Sequence, residues 1–205
     1  MNLSASMKIK MFYVALSLYL LGASQLSFAN NNHLLTGTWS SVCAIGDDGK
    51  FLIETFVFKN NSAQYSVKSY EDTTCKNLLS TLVTERTFTL GDLIPHSDNI
   101  RKLNYIFKSV SMSFSNKSLV TTANSGSGYY GFNNWVINQA KDVSGLRKTS
   151  KSDKEHAKGD RFYTIVKIDK NNLYMGDYAS GDGASEKTRL SSIYKVPFIR
   201  QDNIN

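Results

Sequence analysis

The chain has 205 residues, with 24 Lys and Arg against 17 Asp and Glu for a net charge of +7, 12% aromatic residues, two prolines and two cysteines. The positive charge is dispersed; its one concentration, Arg147 to Lys158, is interrupted by Asp153 and Glu155. A nucleic-acid footprint needs a denser basic patch with interleaved aromatics, so no nucleic-acid partner is expected.

The N-terminus reads as an export signal. Lys8 and Lys10 form a basic segment, Met11 to Ala23 is apolar, and Ser27-Phe28-Ala29 supplies a small-x-small cleavage pattern. Ser17 and Gly22 interrupt the apolar run, which falls short of the about 20 residues of a membrane span. Residues 1–29 are therefore expected to be a cleaved signal peptide, leaving no stable membrane anchor and a single domain over 30–205, periplasmic or extracellular. That length suffices for one sizeable core. In an exported chain, two cysteines predict one bridge, Cys43–Cys75, closing a loop of roughly 32 residues.

Helix-period patterns are scarce. Short runs rich in β-branched and aromatic residues recur between Gly, Asn, Asp and Ser clusters, which predicts an antiparallel all-β domain. Thr38 to Ala44 is a first strand and Gly46-Asp47-Asp48-Gly49 a turn. Phe51 to Lys59 is apolar on both parities. After the Asn60-Asn61 turn, Ala63 to Tyr70 alternates with Tyr65 and Val67 on one side. Leu78 to Leu90 sets Thr81, Val83, Glu85 and Thr87 against Leu82, Thr84, Arg86 and Phe88. Within Arg101 to Phe114 the apolar parity switches from Leu103, Tyr105 and Phe107 to Val110, Met112 and Phe114, which predicts a bulge near Lys108. Lys117 to Thr122 reads as a short strand. Asn124 to Asn134 is a Gly/Ser/aromatic loop leading into Trp135, and 147–160 a solvated, mobile basic loop. Arg161 to Asp169 and Leu173 to Tyr178 are the last strands. About eight or nine strands with meander-like spacing predict a closed or half-closed barrel, with its core over 37–194.

Gly37-Thr38-Trp39 opening the first strand of an exported meander resembles the lipocalin superfamily, in which the Trp packs across the closed end of an eight-stranded barrel. The wider pattern of GTWSSVC, FVFKNNSAQY, SYEDTTC and LYMGDYASGDG…TRLSSIY is similar to the secreted domain of the adenomatosis polyposis coli down-regulated family and its bacterial relatives. Trp39, Cys43, Tyr70, Asp72, Cys75, Trp135, Asp142, Val143, Gly145, Leu173, Tyr174, Gly176, Asp177 and Arg189 occupy matching positions, over roughly Gly37 to Tyr194. A second cysteine pair often found in that family is replaced by Tyr130 and the Leu146–Lys148 region, and the proline after the matched arginine is Leu190. The resemblance implies a barrel-like or clam-shaped sheet with an apolar concavity that holds a lipid group.

Gly37, Trp39, Asp72, Trp135, Gly176 and Asp177 are expected to be structural, with Asp72 capping the turn before Cys75. A ligand pocket is expected from Phe56, Phe58, Tyr65, Val67, Tyr105, Phe107 and Phe162, although the same side chains could fill a solid core. No catalytic, metal or cofactor site is expected. His33, His96 and His156 share no ligand spacing and read as surface residues. Ser125-Gly126-Ser127-Gly128 lacks the strand–turn–helix context of a nucleophile elbow. The expected function is non-enzymatic binding of a hydrophobic small molecule or a lipidated protein. The alternatives are a solid barrel acting through exposed aromatics such as Tyr129-Tyr130-Gly131-Phe132, and a hydrolase with an unrecognised site.

Overall fold

A computed structural model describes residues 31–46, 48–149 and 154–201. The predicted signal peptide, Asp47 of the first turn and the centre of the basic segment lie outside the described residues. Ten strands follow in order: β1 (Gly37–Ser40), β2 (Ala44–Ile45), β3 (Phe51–Lys59), β4 (Ser62–Tyr70), β5 (Leu78–Leu93), β6 (Ile100–Phe114), β7 (Lys141–Asp142), β8 (Arg161–Asp169), β9 (Asn172–Met175) and β10 (Phe198–Arg200). Eight of them close an antiparallel ring in the order β1-β3-β4-β5-β6-β8-β9-β10, with β10 pairing back to β1; β2 and β7 are appended to β3 and β6. The protein is thus an all-β closed barrel of lipocalin-like architecture.

Ring closure depends on the shortest segments. Trp39 on β1 stands opposite Phe56 of β3 on one side and Arg200 of β10 on the other. Its indole is fully buried and donates from Nε1 to the Leu35 carbonyl at 2.8 Å, while the Arg200 guanidinium lies 4.8 Å from the ring centre. Truncating a buried indole of this kind to Ala typically costs about 3–5 kcal/mol. The preceding turn, Asn31–Leu34, helps seal the same end. Asn32 donates to Asn61 Oδ1 at 2.9 Å, and its own Oδ1 accepts the Leu90 amide at 2.8 Å. Trp39 is therefore fully buried where β1 joins β3 to β10, and the core begins earlier than Gly37, at Leu35.

Several expectations are corrected. The single strand over Thr38 to Ala44 is split into β1 and β2, because Ser41 turns to exchange bonds with Glu54 and the chain then diverts to its bridge. The short strand at Lys117 to Thr122 is instead helix α1 (Lys117–Ala123), capped by the Asn116 side chain on the Ser118 and Leu119 amides. That cap outweighs the β propensity of Val120, Thr121 and Thr122. Among the described residues no helix is long and apolar enough to cross a membrane. The last predicted strand ends at Met175, and β10, which closes the barrel beyond Tyr194, was not foreseen. The basic loop is not wholly solvated. The Glu155 amide bonds the Leu146 carbonyl at 2.8 Å, and the His156 ring stacks on Phe107 at 3.7 Å. The bulge near Lys108 is present: Glu85 faces Ser109 and Arg86 faces Phe107, leaving Lys108 unopposed.

Strand lengths differ around the ring. β5 and β6 run 16 and 15 residues, against nine for β8 and four for β9. The β3–β6 side therefore rises beyond the closed ring as a wall, and two cores result. One fills the barrel around Trp39, Phe58, Leu103 and Leu173. The other lies against the wall, where Val110, Met112 and Phe114 meet Trp135, Tyr130 and Val143.

The Cys43–Cys75 disulfide ties the segment after β1 to the β4–β5 turn across 32 positions. Beside it, Asp72 accepts the amides of Thr74 at 3.0 Å and Asn77 at 2.7 Å, and the Thr74 hydroxyl. The Thr74 hydroxyl first, then the Asn77 amide, hold the Asp72 carboxyl at about 2. Two outcomes follow. Without reductant, thiol titration should find no free cysteine, and the Cys43→Ser/Cys75→Ser double variant should lose about 3–4 kcal/mol in denaturant unfolding through unfolded-state chain entropy. Because the folded Asp72 pKa lies below its usual value, its contribution is complete above about pH 4 and disappears as pH falls toward 2. Asp72→Asn should flatten the pH dependence of unfolding in that window; an unchanged slope would contradict the role given to this carboxylate.

Candidate ligand site

The wall and the segment that returns across it bound a half-open cavity of about 320 Å³. Inward alternation supplies its floor in register: Ser69, Ser80 and Phe114 form one row, and Val67, Leu82 and Met112 the next. Leu119 and Ala123 of α1 and the Tyr129–Tyr130 pair cover the opposite side, while Lys50, Lys148 and Glu155 stand among the lining groups. The lining is mixed: Val67, Leu82, Met112, Phe114, Leu119 and Ala123 supply apolar surface, while Asp48, Lys50, Lys148 and Glu155 add charge.

The covering segment is held by defined contacts. Asn124 brackets Trp135, accepting its amide at 2.6 Å and donating to its carbonyl at 3.0 Å. The Trp135 indole donates to the Tyr129 carbonyl at 3.1 Å and meets Phe114 edge-on at 4.9 Å. Farther on, Asp142 accepts the Ser144 amide and hydroxyl. Val143 and Ser144 then dock on Val110, the residue just past the β6 bulge. Tyr130 has a left-handed backbone, φ 57°, which is strained for an aromatic residue, and its hydroxyl donates to the Glu155 carboxylate. Burial first, then Glu155, pushes the Tyr130 phenol pKa up, so the phenol stays a donor at neutral pH.

Below the cavity, where the two cores meet, stands a charge. Arg86 lies on the inward face of β5 between Thr84 and Phe88 and is only 6% exposed. Its guanidinium is 5.0 Å from the ring centre of Tyr65, 4.8 Å from Tyr105 and 4.9 Å from Phe107. The Tyr65 hydroxyl donates to Glu54, the inward-facing carboxylate of β3. The Tyr105 hydroxyl and Arg86 Nε are buried without a hydrogen-bond partner among the described residues. Burial raises the Tyr105 pKa against the lowering influence of Arg86, keeping the phenol protonated.

Of the seven residues expected to line a pocket, Val67 lines this cavity. Phe56, Phe58, Tyr105, Phe107 and Phe162 are buried in the barrel core, with Tyr65 packed against it. Tyr65, Tyr105 and Phe107 are brought together around Arg86. The signature residues take structural positions. Asp177 caps the turn Tyr178–Ser180 by accepting the Ala179 amide. A side chain at Gly176 would meet Thr164 Oγ1 at 2.4 Å, so the close approach there requires glycine. Arg189 pins its loop by donating to the carbonyls of Thr164 at 2.7 Å and Leu103 at 3.2 Å. The Tyr129–Phe132 loop does not present a row of exposed rings. Tyr130 is buried, and Tyr129 and Phe132 are half-buried against Trp135 and Phe114. Among the described residues no group of three or more His, Cys, Asp or Glu is placed to hold a metal. Arg86 was missed as a site residue, although the alternation of β5 puts it among Leu82, Thr84, Phe88 and Leu90.

His156 reports on this layer. Burial and then the Arg86 charge lower its pKa, opposed by Asp160 and Glu155. With the folded value depressed, the stabilising contribution is complete above about pH 6.5 and is lost as pH falls through the folded value. Thermal unfolding of the wild type should therefore weaken below about pH 6.5, and His156→Asn should remove that component; identical pH profiles would count against the assignment. No protein-family model matches the chain, and no curated protein matches it.

Proposed function

We propose that this is an exported, non-enzymatic binding protein that holds a hydrophobic ligand, a fatty acid or the lipid group of a partner, between the extended β3–β6 wall and its covering segment. The observation that carries the reading is the cavity of about 320 Å³, whose wall side is lined by Val67, Leu82, Met112 and Phe114. It lies outside the packed barrel core, so filling it displaces no side chain on which ring closure depends. Its volume is at the lower end of small-molecule pockets, roughly 300–1,000 Å³, which suits one acyl chain better than a bulky ring system. The resemblance carried by Trp39, Cys43, Asp72, Cys75, Trp135 and Arg189 supports the same reading, as do the disulfide and the predicted signal peptide for export. The second reading, a solid barrel working through exposed aromatics, draws less support, because the Tyr129–Phe132 rings pack toward the wall.

Native mass spectrometry of the purified mature protein tests the proposal. A fatty acid or lipid should be recovered, the chain should have the mass expected after removal of residues 1–29, and a fluorescent fatty acid should bind. Leu82→Trp, which fills the cavity from the wall, should weaken that binding about tenfold or more while the barrel remains folded. A ligand-free protein that also fails to bind the fluorescent acid would overturn the reading.

A further inference from the structure

We propose that the ligand is an acid, and that Arg86 and the Tyr105 hydroxyl receive its carboxylate where the barrel core meets the wall. The inference rests on the binding function proposed above and specifies the chemistry of the ligand's head.

A guanidinium is always ionised, and a buried charge is strongly unfavourable unless it is paired and hydrogen-bonded. Arg86 is 6% exposed, and its Nε is buried without a hydrogen-bond partner among the described residues. What surrounds it is three ring faces, those of Tyr65, Tyr105 and Phe107. Such faces stabilise the cation in part, but they accept none of its five N–H donors, which lie in the plane of the fork. Glu54, the carboxylate on the same inward surface, already accepts from the Tyr65 hydroxyl. A second buried donor, the Tyr105 hydroxyl, is likewise unspent.

The unsatisfied groups therefore agree in kind. Both are donors, they stand on adjacent inward rows with the guanidinium 4.8 Å from the Tyr105 ring centre, and the shape that uses a planar fork and a neighbouring hydroxyl together is a carboxylate. Position argues the same way. Along β5, Arg86 lies four residues below Leu82, which lines the cavity, and its guanidinium reaches back to the Tyr65 ring in the intervening row. On the β8–β9 side the ring is short, so this layer lies near the mouth. His156 stacks on Phe107 and the exposed Tyr178 on Phe162 there. Arg86 and Tyr105 do not themselves line the cavity, so the tail of a carboxylate at Arg86 would pass the Tyr65–Thr84 row to reach Leu82 and Val67 there.

Titration calorimetry on the mature protein with dodecanoate, 1-dodecanol and acetate tests this. Dodecanoate should bind about tenfold or more tightly than 1-dodecanol, the range expected of hydrogen bonds to a charged group, and acetate should bind weakly. Arg86→Met should cost about ten- to a hundredfold in dodecanoate affinity and leave 1-dodecanol unaffected. Tyr105→Phe, which preserves the ring packing, should cost several-fold for the acid alone and carries the test if Arg86→Met does not fold. If acid and alcohol bind equally and both variants are indifferent, the binding function stands and the carboxylate assignment is overturned. Acetate binding as tightly as dodecanoate would overturn it in favour of a small-anion site. If neither long-chain probe binds, the binding function falls and this inference with it.

Discussion

Ring closure through β1 is the constraint on which the structure depends. This strand has four residues and two partners, and it holds β3 and β10 together around the Trp39 indole. Without it, β3 and β10 would each present an unpaired edge, with the backbone exposure and association hazard that follow. The contacts at this point are correspondingly dense. Leu35 accepts from the indole, Arg200 covers its face, the Arg200 guanidinium reaches the Thr36 carbonyl, and Gln201 bonds Thr38. Residues more than 160 positions apart in sequence thus complete one small lid.

Because closure uses only short segments, the rest of β5 and β6 is free to do something else. Their upper parts have no ring neighbours on the β8–β9 side, and an apolar face standing alone in water is unfavourable. The chain covers it with α1 and the Trp135 segment, which dock through Asn124 and the Asp142–Ser144 turn. The cover is incomplete, and the cavity lies in the gap. The Lys108 bulge makes this arrangement possible. Without the extra residue, Val110, Met112 and Phe114 would point outward while Tyr105 and Phe107 pointed in.

Much of this was legible in the sequence, for local reasons. Period-2 alternation from Ala63 to Val67 and from Thr81 to Phe88 marks strands with one buried face, and a parity switch within one strand can be reconciled by a bulge. Cys43 and Cys75 had no other partners, and the contacts of the Asp72 carboxylate with Thr74 and Asn77 fit its place at a turn. What was hidden lay where a weak local signal meets a strong long-range one. Phe198-Ile199-Arg200 is too short to read as a strand, and it becomes one because β1 and β9 both lack a neighbour. Lys117 to Thr122 carries β-branched residues, yet a single Asn116 side chain sets it as helix. The pocket expectation followed the largest inward rings, which mostly fill the barrel. The cavity lies higher, against Val67, Leu82 and Met112, and only strand lengths in three dimensions show that. Arg86 was visible as one cation on an apolar parity, and its meaning depended on which rings surround it.

The two cores also set a hierarchy of motion. The β3–β6 side of the barrel is held by a continuous ladder of strand pairs, whereas the covering segment over 124–148 is held by the packing of Trp135, Tyr130 and Val143, by side-chain caps and by short bridges. Regions held in this way exchange and open at lower free energy than a closed ring. Under the proposed binding function, local opening of the cover with the barrel intact would be the route for a hydrophobic guest.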